Sequence, residues 1–297
     1  MKPTSTRRTR HHAGTCLPLA GLRALIALCL TVLSLPVTAA YVPVAVTGYK
    51  ADVVANGVGP ATSSTTHDVD GVNYAFVAPD FRATAGGTAP TRFLPANGLI
   101  NSATTAGLTY QLEDYNGLNA LRLPTAGMRD TLTLVTPQSA GEVFVLATAG
   151  SGGPSGINVN IHVHFTDNTT QSFNNINLRD WYNGSNFAIQ GIGRVNLTTN
   201  ALEGDASNPR LYEVKLTLNA SQLTKPIREI EIEKVTATGV VIVMGVSINN
   251  ATCYGPASAT IANPGATTAT LNWTAATLGT PQNYEWRVVA TGSGVTA

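Results

Sequence analysis

The sequence predicts an all-β protein, and three observations carry that prediction. Long stretches with a 3.6-residue apolar period are absent, short runs alternate apolar and polar residues, and clusters of Gly, Pro, Asn and Asp separate the runs. From residue 41 onward the chain is poor in charge and rich in Thr, Asn, Val, Gly and Ala. In chain order, the stretches that read as strands are "YVPVAVTGY", "VNYAFVA", "GLTYQLEDY", "ALRLP", "DTLTLVT", "GEVFVLAT", "INVNIHVHFT", "TQSFNNINL", "RVNLTT", "LYEVKLTLN", "IREIEIEKV" and "GVVIVMGVSI". These are more strands than one immunoglobulin-type domain holds. They suit a two-sheet, jelly-roll-like β-sandwich over residues 41–250, in which alternate side chains meet between the sheets.

The first forty residues are of another kind. They hold five basic residues (Lys2, Arg7, Arg8, Arg10, Arg23), no acidic one, and an apolar run over residues 24–35 that ends in "PVTAA". A basic start, a short apolar stretch and small residues at Ala39 and Ala40 predict a secretory signal peptide over residues 1–40. The run is shorter than the roughly 20 residues a bilayer core requires, so no membrane span is expected once the signal is removed. Of 18 basic residues, 13 then face 17 acidic ones, a net charge of −4. A mildly acidic chain without a basic stripe makes nucleic acid an unsuitable partner. Cys16 and Cys29 leave with the signal, and Cys253 stands alone.

The stretch "INVNIHVHF" has Ile157, Val159, Ile161, Val163 and Phe165 on one face and Asn158, Asn160, His162 and His164 on the other. The histidine face can present two imidazoles to one metal ion. "GINVNIHVH" is similar to the opening of the cupin metal motif, but Asn168 and Thr169 stand where its glutamate belongs and no histidine follows His164. A site would need Asp167 or the distant His67 as third ligand. Two solvated strand histidines are the competing reading, and the one preferred. In "EIEIEK", Glu229, Glu231 and Glu233 alternate with Ile230 and Ile232, the pattern of a strand with one wet face. The spacing also resembles the paired glutamates of laminarinase-like sandwich glycosidases, with Lys234 where the last glutamate belongs. A β-sandwich hydrolase or metal-dependent enzyme built on these glutamates or on the histidine pair is therefore the alternative function.

"LRDWYNGSNFAIQGIGRV" is the loop richest in recognition chemistry. Trp181 and Tyr182 offer planes for sugar rings, and Asp180, Asn183 and Arg194 offer hydrogen bonds to hydroxyls. Against that, Trp181 can plug the end of the sandwich and Asp180 can cap a turn, which leaves Tyr182 as the better surface contact. Asp68 and Asp70 in "THDVDG" suit either a structural calcium or, more commonly, a hydrogen-bonded turn. No other cofactor is expected.

Two resemblances extend this reading. "PIREIEIEKVTATGVVIVMGVSINN" and "HFTDNTTQSFNNINLRDW" resemble the closing strands and the hairpin of galactose-binding-like and carbohydrate-binding jelly rolls in secreted bacterial proteins. Asn168 occupies the hairpin position where such modules carry Gly, and Asn tolerates the positive φ required there. "CYGPASATIANPGATTATLNWTAATLGTPQNYEWRVVATGSG" resembles the first half of a fibronectin type III domain, with Trp273 as its core tryptophan. Residues 251–297 are then a partial immunoglobulin-like sandwich, and further domains of the same longer chain are expected. Together the resemblances imply a non-catalytic, extracellular binding or adhesion module whose partner is a glycan or cell-surface polysaccharide.

Overall fold

The computed structural model describes residues 41–182, 184–249, 258–262 and 270–274. They are almost entirely strand and turn, as predicted; the only helical turns among them are short 3-10 segments at Ala61–Ser63 and Ala220–Gln222. The strands are β1 (Tyr41–Pro43), β2 (Val46–Thr47), β3 (Val54–Ala55), β4 (Tyr74–Val77), β5 (Leu99–Asn101), β6 (Thr109–Gln111), β7 (Leu121–Leu123), β8 (Arg129–Gln138), β9 (Glu142–Gly150) and β10 (Ile157–Phe165). They continue as β11 (Thr170–Leu178), β12 (Phe187–Gln190), β13 (Arg194–Asn196), β14 (Leu202–Glu203), β15 (Arg210–Thr217), β16 (Ile227–Lys234), β17 (Val240–Asn249), β18 (Ser258–Ala262) and β19 (Thr270–Thr274). No helix among the described residues is long and apolar enough to cross a membrane.

Two antiparallel sheets form the sandwich. One runs β1-β17-β9-β15-β12, with β7 also on β17; the other runs β11-β10-β16-β8-β2. Their core is built from alternate residues: Val143, Val145, Ala147 and Ala149 of β9 meet Val159, Ile161, Val163 and Phe165 of β10 and Ile230 and Ile232 of β16. Full burial of each such aliphatic side chain contributes about 1.5–3 kcal/mol, so the alternation fixes which face of each strand turns inward. β17 keeps its alternation only through a one-residue bulge between Val243 and Gly245. Val241 and Val243 point into the sandwich before the bulge, and Val246 and Ile248 do so after it.

A third layer, not anticipated in the sequence, covers the far side of the β17-β9 sheet. β9 and β17 are buried at every position. The continuous apolar run of each strand is the signature of a strand covered on both faces. Phe144, Leu146, Ile242 and Met244 pack there against Phe76, Ile100, Leu108, Tyr110 and Trp181. The β5-β6 hairpin and a small sheet of order β14-β13-β4-β3 supply this cover, the latter with its own cluster of Ala55, Ala75, Val77, Phe81 and Val195. Residues 41–249 belong to one compact unit. In the second unit, β18 and β19 pair antiparallel, with Ala259 opposite Trp273. Of the stretch that resembles a fibronectin type III domain, residues 251–257, 263–269 and 275–297 lie outside the described residues.

Candidate functional site

The loop after β11 is stitched to the end of β9. The Ala149 amide donates to the Arg179 carbonyl, and the Trp181 amide donates back to the Ala149 carbonyl, at 2.9 and 2.8 Å. The side chain of Asp180 fixes the neighbouring turns. Its Oδ2 accepts from the Gly152 and Gly153 amides (2.7 and 3.0 Å) and its Oδ1 from the Tyr182 amide (2.9 Å). The Tyr212 hydroxyl donates to the Asp180 carbonyl at 2.7 Å and accepts from the Gly184 amide at 3.1 Å. Asp180 is thus a capping residue, the second of the two roles the sequence allowed it.

Trp181 is 3% exposed and meets Phe76 edge-on at 5.7 Å and Tyr182 at 5.8 Å. It plugs the third layer and cannot serve as a flat sugar platform. Arg194, placed by β13, lies over three rings at once: Tyr74 at 3.8 Å, Tyr182 at 4.8 Å and Trp181 at 5.3 Å. Its Nε and Nη2 both donate to Glu203 Oε2 (3.0 and 2.7 Å), and the Tyr74 hydroxyl donates to Glu203 Oε1 at 2.8 Å. Partial burial pushes the Glu203 carboxyl up, but the bonds from Tyr74 and Arg194 outweigh it and hold it below its ordinary value. Arg194 is therefore a structural pin. Tyr182, half-buried, gives one face to that pin; burial raises its hydroxyl pKa, with Arg194 acting in the opposite direction. Asn183 lies outside the described residues.

Gly153, Pro154, Arg179, Asp180, Tyr182 and Gly184 line an open cleft of about 360 Å³. Arg179, which the sequence marks only as a flank of the aromatic loop, is exposed, and its guanidinium makes no hydrogen bond or ion pair with the described residues. Only the structure singles it out, because nothing in the sequence distinguishes a free arginine from a paired one. The cleft can offer a ring, a cationic fork and backbone groups to a ligand. Its one carboxylate is already occupied by three amides.

The other candidates lie elsewhere. Asp68 is held by Arg122 and accepts from the Asn73 amide at 3.1 Å, while Asp70 Oδ1 accepts from the amides of Val72 and Tyr74 (3.0 and 3.1 Å). "THDVDG" is accordingly a hydrogen-bonded turn. Burial raises the Asp70 carboxyl, partly offset by those two amides. Asp167 pairs with Lys225 at 2.8 Å, and His67 bonds Thr66 at 2.9 Å. Among the described residues no three His, Cys, Asp or Glu side chains converge as they stand.

His162 and His164 face outward on β10, as expected, with ring centroids 6.4 Å apart. Glu229, Glu231 and Glu233 share that outer face on neighbouring β16. Arg228 pairs with Glu229 at 3.2 Å, and Arg129 with Glu231 and Glu233 at 3.3 and 3.0 Å. The Asn160 amide, ahead of Arg129, holds the Glu233 carboxyl below its ordinary value, the opposite of what a general acid requires.

Comparison with protein-family models and with curated proteins finds no match to this chain.

Proposed function

We propose that this chain is a non-catalytic extracellular module that binds a glycan or cell-surface polysaccharide within a larger secreted surface protein. The cleft at residues 179–184 carries the reading. It sets the tyrosine ring of Tyr182 beside an unengaged guanidinium, Arg179, on a loop that Asp180 makes rigid. Rigid backbone around an aromatic and a fork of donors suits sugar hydroxyls, since little ordering remains to be done on binding. The signal-like first forty residues and the carbohydrate-module and fibronectin type III resemblances support the same reading. Glycan-array and polysaccharide pull-down measurements on the full chain test it. Retention on at least one glycan, lost in Tyr182→Ala and weakened in Arg179→Ala, is expected; absence of retention on every glycan refutes it.

A further inference from the structure

Hydrogen bonding within the protein has already taken most of the acceptors around the 179–184 cleft. The carboxylate of Asp180 receives the amides of Gly152, Gly153 and Tyr182. The Arg179 carbonyl receives the Ala149 amide, the Gly153 carbonyl the Gly156 amide at 3.1 Å, and the Asp180 carbonyl the Tyr212 hydroxyl. The Gly184 carbonyl accepts from Arg210 Nη1.

What stands open is a donor. The Arg179 guanidinium carries only N–H groups, and none of them has a partner among the described residues. The other arginines differ from it. Arg122, Arg129, Arg194 and Arg228 each pair with a carboxylate, and Arg82 and Arg210 bond to backbone carbonyls. Arg92 is exposed and likewise unpaired among the described residues, but it is not part of the cleft lining.

This balance of donors and acceptors discriminates between ligands. A neutral sugar hydroxyl donates as well as accepts, so a site that holds it well supplies both kinds of group. A carboxylate only accepts, and its two oxygens match the two arms of a guanidinium fork. The one carboxylate in the cleft does not oppose a second anion strongly, because three amides already compensate it. We propose, on the strength of the glycan reading of this cleft, that its ligand is an acidic polysaccharide. A uronate carboxylate is held two-pronged by Arg179, and the sugar ring lies beside Tyr182.

Retention of the full chain on immobilised polygalacturonate, alginate and hyaluronan tests this, each polymer set beside the same polymer with its carboxyls reduced to neutral hydroxymethyl groups. Wild type is expected to be retained on at least one acidic polymer and about tenfold or more weakly on its reduced form, the cost of losing a charged hydrogen-bonded pair. Sodium chloride should weaken the acidic retention, since the pair is exposed to solvent. Arg179→Gln, at an exposed position without a partner to lose, should bring acidic retention down to that of the reduced polymer. Arg92→Gln, which removes a cation outside the cleft, should leave it unchanged. Equal retention on acidic and reduced polymers, or retention on neutral glycans alone, overturns the carboxylate assignment and leaves the glycan reading standing. An equal loss in Arg92→Gln and Arg179→Gln marks diffuse charge attraction and overturns it too. Retention on no glycan of either kind refutes both.

Discussion

Replacing Trp181 by alanine separates the two roles an aromatic residue can have in the 179–184 loop. The side chain is 3% exposed and closed in by Phe76, Tyr182 and Arg194. Its backbone is held on both sides: its amide donates to the Ala149 carbonyl, and its carbonyl accepts from the Arg210 amide, each at 2.8 Å. A pinned backbone cannot settle into the vacated space, so the loss belongs in the upper part of the usual range for Trp→Ala, about 3–5 kcal/mol. For a unit of this size that corresponds to a fall in Tm of roughly 6–20 °C. Urea unfolding followed by circular dichroism is the assay: the midpoint should fall while the slope with denaturant stays constant. Tyr182→Ala, at a half-buried position, should cost about 1 kcal/mol and act mainly on ligand retention. A loss below about 1 kcal/mol for Trp181→Ala would refute the assignment of this residue to the core.

Three further outcomes follow from particular groups. Lys234 is fully buried, and among the described residues its Nζ donates to the carbonyls of Pro124 and Ala237, at 3.1 and 3.3 Å; burial lowers its pKa. The unfolded chain then binds more protons on the alkaline side, so stability due to this group rises with pH up to the ordinary lysine value near 10.5. Chemical unfolding from neutral pH to pH 10 should show that rise in wild type relative to Lys234→Met. Asp167 is held down to about 2, chiefly by the bond from Lys225 and then by Thr169. Its contribution is present above the ordinary value of 3.8 and disappears as pH falls through about 2, and acid titration of Lys225→Ala should show it reduced to the share that Thr169 supplies. Gly193 has φ +66°, and a methyl group there would overlap the Arg92 carbonyl, so Gly193→Ala should destabilise by about 1–3 kcal/mol in thermal unfolding.

Alternation made the sandwich legible, since each of the twelve stretches chosen as strands contains one. β10 shows why: its buried and half-buried residues alternate without exception, because among the described residues only its inner face packs into the sandwich core. The covering layer was not legible. Its strands, such as β3 and β14, are two residues long, too short to show a period. Nor does alternation reveal register. The histidine and glutamate motifs were each readable, but that β16 places Glu231 beside His162 depends on strand order. Lys234 carries the same lesson. In the sequence it continues a charged run, whereas the pleat turns it to the inner face below Ile230 and Ile232. Asp180 and Trp181 were readable as cap and plug from residue type, while Arg194 needed the partners that only the third layer brings.

The short first strand has a consequence for how the chain assembles. The stretch read as one strand, "YVPVAVTGY", leaves one sheet and enters the other: β1 pairs with β17, where Tyr41 is opposite Asn249, and β2 pairs with β8. The opening residues of this unit therefore wait for its last strand before they have a partner. Contacts that span almost the whole unit make closure slow, because the intervening chain must be gathered before any pairing energy is returned. A chain that emerges N-terminal end first therefore leaves residues 41–43 without their partner strand until residue 249 has followed.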